Sequence, residues 1–282
     1  MRTLRIGHTG KDVGNLQYFL DIAIDNSFGK ATQNAVIYRQ KKDRLDVDGY
    51  VGPATQKKWG LSDFRVDIYN KEQVYFSGSP YRATEKPTRT LKQWAKLEGV
   101  SKTYNLAFFN SSGKGSDKYG VIRGRTLTYL KAKGQDVGYG GTPLKVFIDD
   151  NNICAGYKTA INGGIKQRVS AWGYRPRNAN GVLKDGRYFQ IQSVRTATEK
   201  QIVAFMAKNY DVALMLIQDS GGSTGFYDNE RDVLLAAEPE GRNGRPVASV
   251  VCIRKTPQDT PQDTPQDTRV FCKLCGQEIK NG

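Results

Sequence analysis

Near the start of the chain an eight-residue pattern occurs twice. Asp25-Asn26-Ser27-Phe28-Gly29-Lys30-Ala31-Thr32 returns 23 positions later as Asp48-Gly49-Tyr50-Val51-Gly52-Pro53-Ala54-Thr55. Each copy reads as a turn built on Asp with Asn or Gly, then an apolar plug, then a Gly-x-Ala-Thr helix start in which Pro53 suits the first helical position. Val13, Leu16, Gln17, Phe19 and Leu20 give an earlier amphipathic helix, and Ala35, Val36 and Tyr38 lie on the one between the copies. Together they predict a small all-α three-helix domain over residues 1–60, close to the lower size for independent folding.

A second stretch, Thr196 to Tyr227, reads as helix, buried strand and glycine turn in quick succession. Thr198 with Gln201 has the form of a capping box, and Ile202, Val203, Phe205 and Met206 supply one apolar helical face. Val212 to Ile217 is an apolar run short enough to be a strand buried on both sides. The strand ends at Asp219, followed at once by Ser220-Gly221-Gly222-Ser223-Thr224. A carboxylate at a strand tip beside exposed backbone N–H groups is a candidate anion site; the same residues fit equally well a polar strand end with a glycine turn.

Composition narrows the chemistry. With 282 residues the chain has room for a medium domain and a small one, and no run approaches the ~20 apolar residues of a membrane span. Its opening segment lacks the apolar core of a secretory signal, so synthesis in the cytoplasm and release by another route are expected. Lys and Arg number 43 against 28 Asp and Glu, a net charge of +15, which favours a polyanionic partner: nucleic acid, acidic membrane or a phosphate-bearing wall polymer. No interleaved basic and aromatic motif accompanies the charge, which weakens the nucleic-acid reading. The single histidine, His8, excludes Ser-His-Asp and Cys-His hydrolases and zinc enzymes that need two or more His ligands. Acid–base work therefore falls to carboxylates, Lys, Tyr or Ser. The four cysteines form no disulfide framework, which points to a reducing compartment.

From residue 61 onward strands and glycine turns predominate. Phe64 to Tyr69 and Gln73 to Phe76 alternate as a hairpin would, and Thr90 to Glu98 reads as a helix with Leu91, Trp94, Ala95 and Leu97 facing inward. Asn105 to Asn110, Leu144 to Ile148, Ala160 to Asn162, Gly186 to Val194 and Arg245 to Ile253 are further strand candidates. The expectation is an α+β domain with a mixed sheet over residues 61–255. Residues 256–268 repeat Pro-Gln-Asp-Thr and form a flexible spacer, and residues 269–282 are a tail carrying Cys272-x-x-Cys275. That pair is half of a zinc-ribbon ligand set, to be completed by a second chain or distant cysteines, or else two free thiols. No cofactor is otherwise required.

Two family resemblances bear on function. Leu4-Arg5-x-Gly7-x-x-Gly10-x-Asp12-Val13-x-x-Leu16-Gln17, then Phe28-Gly29-x-x-Thr32-x-x-Ala35-Val36, Gln40 and Val47-Asp48-Gly49-x-Val51-Gly52-x-x-Thr55 resemble the peptidoglycan-binding type 1 domain. That resemblance implies docking on bacterial cell-wall glycan and stem peptide, with contact near Asp48 and Tyr50, although Asp48 also suits a turn former and Tyr50 a plug.

The second resemblance is to the phosphodiester glycosidase family, which includes the uncovering enzyme. It rests on Asn105 to Asn110, with Leu106 and Ala107 where the family has glycines, on Asn162 to Gly164, and on Arg168 with Ser170 to Gly173. Asp219 to Thr224, with Ser220 for one glycine, and Arg245 to Ala248 complete it. It implies cleavage between an anomeric carbon and a phosphodiester oxygen, with Asp219 as electrostatic stabiliser or base toward water and Glu199 as the second carboxylate. Gly221, Gly222, Ser223 and Thr224, with Arg168 or Arg195, would receive the phosphate, and Asn105, Asn110 and Asn162 the sugar. Joined to a wall-binding module, such a domain suggests an endolysin-like hydrolase of bacteriophage type, released by a holin and acting on peptidoglycan or a teichoic polymer. The alternative is a wall-attachment protein whose second domain only binds glycan.

Overall fold

The computed structural model describes residues 1–78, 89–106, 121–123, 126–128, 138–139, 142–143, 145–148, 153–171, 173–218, 220–236, 246–247, 249–255, 270–271 and 278–279. The expected spacer, Asn110, Asp219, Cys272 and Cys275 lie outside them.

The first sixty residues fold as α1 (Lys11–Phe19), α2 (Lys30–Lys42) and α3 (Pro53–Trp59) around Leu4, Val13, Leu16, Phe28, Val36 and Val51. The repeat is structural, and each copy is braced by a buried glutamine. Gln17 Nε2 donates to Asp25 Oδ1 (2.6 Å), the Ser27 carbonyl (3.0 Å) and Thr32 Oγ1 (3.0 Å), while Gln17 Oε1 accepts from the Asn26 N–H (2.9 Å). Gln40 repeats this with Asp48 Oδ1 (2.8 Å), the Tyr50 carbonyl (2.8 Å), Thr55 Oγ1 (3.5 Å) and the Gly49 N–H (2.9 Å). Removing either amide strands several buried polar groups. We expect Gln17→Leu and Gln40→Leu each to cost about 1–3 kcal/mol, read as faster amide exchange confined to residues 1–60.

The remaining elements begin with β1 (Phe64–Tyr69), β2 (Val74–Gly78), α4 (Leu91–Glu98) and β3 (Lys102–Asn105). Three short hairpins follow: β4 (Val121–Arg123) with β5 (Thr126–Thr128), β6 (Gly138–Tyr139) with β7 (Thr142–Pro143), and β8 (Lys145–Ile148) with β9 (Ile153–Gly156). Then come β10 (Lys158–Asn162), β11 (Ile165–Lys166), β12 (Asn178–Leu183), β13 (Tyr188–Ser193), α5 (Glu199–Asn209) and β14 (Val212–Ile217). The chain continues through β15 (Gly225–Asp228), β16 (Val233–Ala236) and β17 (Ser249–Ile253), with β18 (Val270–Phe271) paired to β19 (Glu278–Ile279).

The large strands form two sheets, in the orders β1-β13-β12-β14-β10-β11 and β16-β15-β3-β17-β2. Every pairing in them is antiparallel, so the expected mixed sheet is corrected to two antiparallel ones. The expected hairpin of Phe64–Tyr69 with Gln73–Phe76 is also overturned. β1 pairs with β13 and β2 with β17, so the two strands belong to different sheets. A capped 3-10 turn at Lys71–Gln73 separates them. Val66 and Ile68 on β1 then pack toward α5, whereas Val74 and Phe76 on β2 enter the layer between the sheets.

Strand alternation sorts the apolar residues into layers. α5 covers one face of the six-stranded sheet through Ile202, Val203 and Met206 against Phe189, Ile191 and Met215. Its capping box is formed: Thr198 Oγ1 accepts from the Gln201 N–H at 3.1 Å, and Gln201 Oε1 from the Thr198 N–H at 2.8 Å. On β14, Met215 and Ile217 face α5 while Leu214 and Leu216 pack with Cys154, so this strand is buried on both sides as expected. α4 covers the outer face of the five-stranded sheet through Leu91, Trp94 and Ala95 against Tyr227, Val250 and Cys252. Leu97, expected to face inward, is 59% exposed. Between the sheets lie Phe76, Tyr104, Tyr188, Phe226 and Val251. The result is a helix–sheet–sheet–helix sandwich.

The helical unit is fastened to the sandwich. Tyr18 on α1 meets Phe226 edge to face at 5.5 Å and donates its hydroxyl to Asp228 Oδ2 at 2.7 Å. The guanidinium groups of Arg65 and Arg231 lie over its ring at 4.6 and 4.1 Å, and Arg231 Nη1 also donates to the Tyr18 carbonyl at 3.0 Å. Arg231 pairs with Asp21 at 2.7 Å, and the Met1 amino group with Asp63 at 3.1 Å. Among the described residues no helix is long and apolar enough to cross a membrane.

Candidate functional site

The layer between the sheets is not wholly apolar. On β12 and β13, Ala179, Phe189 and Ile191 face α5, which turns the intervening Asn178, Asn180, Gln190 and Gln192 to the other side, where all four are buried. Asn178 and Gln190 bond each other and their neighbours, while Asn180 exchanges hydrogen bonds with the Ala155 backbone. Asn178 Nδ2 donates to the Asn105 carbonyl (2.7 Å), and Gln190 Nε2 donates to Gln218 Oε1 (2.6 Å) and to Asn178 Oδ1. Tyr188, whose phenol burial pushes well up and so keeps protonated, donates to Gln190 Oε1 at 2.7 Å. The Gln218 N–H donates to the Asn178 carbonyl at 2.9 Å, but Gln218 Nε2, fully buried, has no partner among the described residues. A buried donor of this kind costs stability unless something else uses it. It sits one residue before Asp219 in the chain.

The layer opens into a cleft of about 840 Å³. Its sandwich side is formed by Arg65, Gln192, Arg195, Thr224 and Phe226, and its other side by α1 and the residues before it. Arg65 and Gln192 are cross-strand partners, and Gln192 Nε2 donates to the Gly225 carbonyl at 2.8 Å. Arg65 holds Asp67 with two nitrogens, Nε to Oδ2 at 2.8 Å and Nη2 to Oδ1 at 3.1 Å, and its guanidinium stacks 3.5 Å from the Phe226 ring centre. Burial opposes the Arg65 charge, but Asp67 together with Tyr104 and Tyr18 outweighs it and raises its pKa, so the cation persists at all ordinary pH values. Tyr104 donates to Asp67 Oδ2 at 3.0 Å, which completes the far side of that carboxylate.

The glycine turn stands at the rim. Gly221 has φ +76°, the left-handed region that favours glycine. Its N–H donates to the Pro176 carbonyl at 2.8 Å, and its carbonyl accepts from the Thr224 N–H at 3.0 Å. The Gly221 N–H is thus taken up within the fold, a correction to its expected part in cradling an anion. Gly222 is half-buried, Ser223 and Thr224 are buried, and Thr224 lines the cleft. Arg195 also lines it, exposed and with no hydrogen bond or ion pair among the described residues.

Asn105 belongs to this assembly through its backbone carbonyl, while three other expected residues do not. Glu199 is buried at the first turn of α5 as a structural anchor. Its Oε1 accepts from Tyr157 (2.9 Å) and Arg177 (3.4 Å), and its Oε2 from Lys158 (3.0 Å) and the Ser170 N–H (2.9 Å). Burial works to raise the carboxyl, but the hydrogen bonds from Ser170, Lys158 and Tyr157 outweigh it and hold it below the ordinary glutamate range. Asn162 pairs with Leu214, whereas Lys158 at the other end of β10 pairs with Ile217, the end of β14 that leads to the glycine turn. Three strand steps of about 3.4 Å each therefore separate Asn162 from that end. Arg168 is exposed beyond β11 and does not line the cleft.

On the helical unit, a smaller groove of about 420 Å³ runs beside the second repeat, lined by Arg44, Asp46, Asp48, Pro53 and Thr55. Asp48 Oδ1 also accepts from the Tyr50 N–H at 2.8 Å, so this carboxylate shapes the turn as well as facing the groove, and the Tyr50 side chain is exposed. Residues 11–58 match the family profile of the peptidoglycan binding domain. The chain carries a peptidoglycan-binding domain at its N-terminus. The chain is similar, at 44% identity and TM-score 0.21, to a peptidoglycan-binding protein from Clostridioides difficile in complex with glutamine hydroxamate. The match covers 21% of this chain and 40% of that one.

A larger part of the chain, 69%, is similar to 84% of the zebrafish N-acetylglucosamine-1-phosphodiester alpha-N-acetylglucosaminidase catalytic domain, auto-inhibited by its pro-peptide, at 14% identity and TM-score 0.48. A hypothetical protein from Synechocystis is similar over 68% of this chain and 59% of its own, at 10% identity and TM-score 0.43. Among curated proteins none matches the chain.

Asn178, Gln190, Gln192 and Gln218 were not among the candidates from the sequence. Their signal was the polar alternation in Asn178-Ala179-Asn180 and Tyr188-Phe189-Gln190-Ile191-Gln192, which resembles an ordinary solvent-facing strand side until a second sheet covers it.

Proposed function

We propose that the protein is a cell-wall hydrolase that binds peptidoglycan through its N-terminal domain and cleaves a sugar-1-phosphodiester or glycosidic bond in peptidoglycan or a teichoic-type polymer. The observation that carries this reading is the cationic cleft at the glycine turn, walled on one side by the peptidoglycan-binding domain. In the proposed reaction the bond from the anomeric carbon to the phosphodiester oxygen breaks, and the oxygen leaves with the electron pair as a phosphate monoester. Asp219 faces the developing positive charge or takes the proton of the water that adds to the anomeric carbon. Arg195 and Thr224 receive the phosphate. The sequence requires no cofactor for this reaction, and zinc, if bound, would be held by Cys272 and Cys275. The corresponding life history is synthesis in the cytoplasm and release to the wall at lysis, as for an endolysin.

A non-catalytic wall-attachment protein is the second reading. It is favoured by the Gly221 N–H being engaged with Pro176 and by Glu199 being fixed away from the cleft. Purified walls with and without teichoic polymer, incubated with the protein and followed by mass spectrometry of the soluble fraction, separate the two. Hydrolysis releases sugar or phosphate-bearing fragments, with the greater yield from teichoic-bearing walls if the phosphodiester is the target. Protein that sediments with the wall while releasing nothing sinks the hydrolase reading.

A further inference from the structure

The two copies of the repeat match in backbone beyond their eight shared positions, and they part in charge. The carbonyls of Gln17 and Gln40 each accept from an N–H five residues on, Ile22 at 3.1 Å and Leu45 at 2.9 Å, and Asp21 and Arg44 share the left-handed conformation at φ +58° and +56°. In this register Lys41 stands where the first copy has Tyr18, and Arg44 where it has Asp21. Tyr18 and Asp21 are the residues that fasten the first copy to the sandwich: Arg65 and Arg231 lie over the Tyr18 ring, and Arg231 pairs with Asp21 at 2.7 Å. This face of a copy is therefore a docking face, on which a ring and a carboxylate meet two guanidinium groups.

In the second copy the sign is reversed. Residues 16–35 hold one cation, Lys30, against Asp21 and Asp25, whereas residues 39–58 hold six, Arg39, Lys41, Lys42, Arg44, Lys57 and Lys58, against Asp43, Asp46 and Asp48. Asp43 is used within the fold: it accepts from Arg39 Nε at 2.7 Å and from Trp59 Nε1 at 2.8 Å, which brings the last turns of α2 and α3 together. The other five cations are exposed, and their side chains make no ion pair or hydrogen bond among the described residues. The four lysines also complement the ends of α2 and α3. Arg44 lies beyond the helix, so that role does not account for it.

We propose that the second copy docks, through Lys41 and Arg44 with the lysines beside them, on the free carboxylates of peptidoglycan stem peptides. The proposal rests on the wall-binding half of the function above and needs no hydrolysis. Arg44 borders the groove beside Asp48, and its planar fork suits a carboxylate, while Asp46 and Asp48 repel that group from the groove itself and leave it at the rim. One exposed contact of this kind is weak, but stem peptides recur along a glycan strand and multiply it.

The test is sedimentation of the full chain with peptidoglycan stripped of teichoic polymer, before and after its carboxylates are converted to neutral amides with carbodiimide and ammonia. Wild type should bind the amidated preparation about tenfold more weakly, and added salt should narrow the difference. Lys41→Glu combined with Arg44→Glu should lose about tenfold on untreated peptidoglycan, melt with the wild type because both side chains are exposed, and lose little more on amidation. Lys41→Gln combined with Arg44→Gln should move affinity the same way by less. Lys208→Glu, at an exposed cation near the end of α5, should change nothing. Wild type that sediments equally with both preparations overturns this proposal alone, and wild type that sediments with neither overturns the wall-binding half of the function with it. Retention only on walls that keep their teichoic polymer assigns the face to phosphate and overturns the carboxylate. An equal loss for Lys208→Glu reduces the effect to net charge and overturns it as well.

Discussion

Asparagine at position 219 is expected to lower release of soluble wall product by at least about 100-fold, the loss typical when one preorganised charge-stabilising group is removed. The reasoning is electrostatic. A phosphodiester leaves readily, so the barrier lies in the charge growing at the anomeric carbon, and a fixed carboxylate lowers it without reorganising at the moment of reaction. Asn preserves the shape of Asp and deletes only the charge, while the buried amides of Gln218, Gln190 and Asn178 keep their mutual bonds. The variant should melt with the wild type and sediment with walls as before, because the peptidoglycan-binding domain is untouched. Undiminished product from Asp219→Asn, measured on the same walls, would move catalysis to another residue.

Glu199→Ala is expected to cost stability on the scale of about 3–5 kcal/mol, the usual penalty for breaking a buried ion pair by removing one partner. Arg177 is left with 5% of its side chain exposed and without its carboxylate, and the Ser170 N–H, the Tyr157 hydroxyl and Lys158 lose an acceptor. Urea unfolding should show a lower midpoint with the same slope. The pH dependence gives a second reading. The folded carboxyl titrates below the ordinary glutamate value of 4.5, so its contribution is complete above that value and disappears as the pH falls through the lower, folded-state one. Wild type should lose stability in that acidic window, and Glu199→Gln should lose less. An equal acid response in both would show that other carboxylates govern it.

The parts of the fold legible in the sequence were those whose signal is local. The repeat, the Thr198 capping box and the doubly buried strand Val212–Ile217 each declare themselves within a few residues of chain. Alternation in Phe64–Tyr69 correctly indicated a strand, but its partner, β13, lies more than a hundred residues away, and nothing local says which sheet a strand joins. The mixed sheet was wrong for the same reason: the direction of a partner is a long-range property. Glu199 and Asn162 were plausible as site residues because motif order places residues along the chain and not around a cavity. The amides of Asn178, Gln190 and Gln218 escaped notice because their burial comes from a second sheet contributed by distant segments.

The bond between Tyr18 and the sandwich has a mechanical corollary. Only Leu61, Ser62 and Asp63 connect the end of α3 at Trp59, followed by Gly60, to the start of β1, so the wall anchor sits beside the cleft without slack. On the proposed function, such an arrangement would work as a caliper. It would impose a minimum length on any strand engaged at both grooves together, and fragments shorter than that span would lose the advantage of double attachment. Trimming of a polymer would then slow of its own accord once the pieces no longer bridge the two jaws.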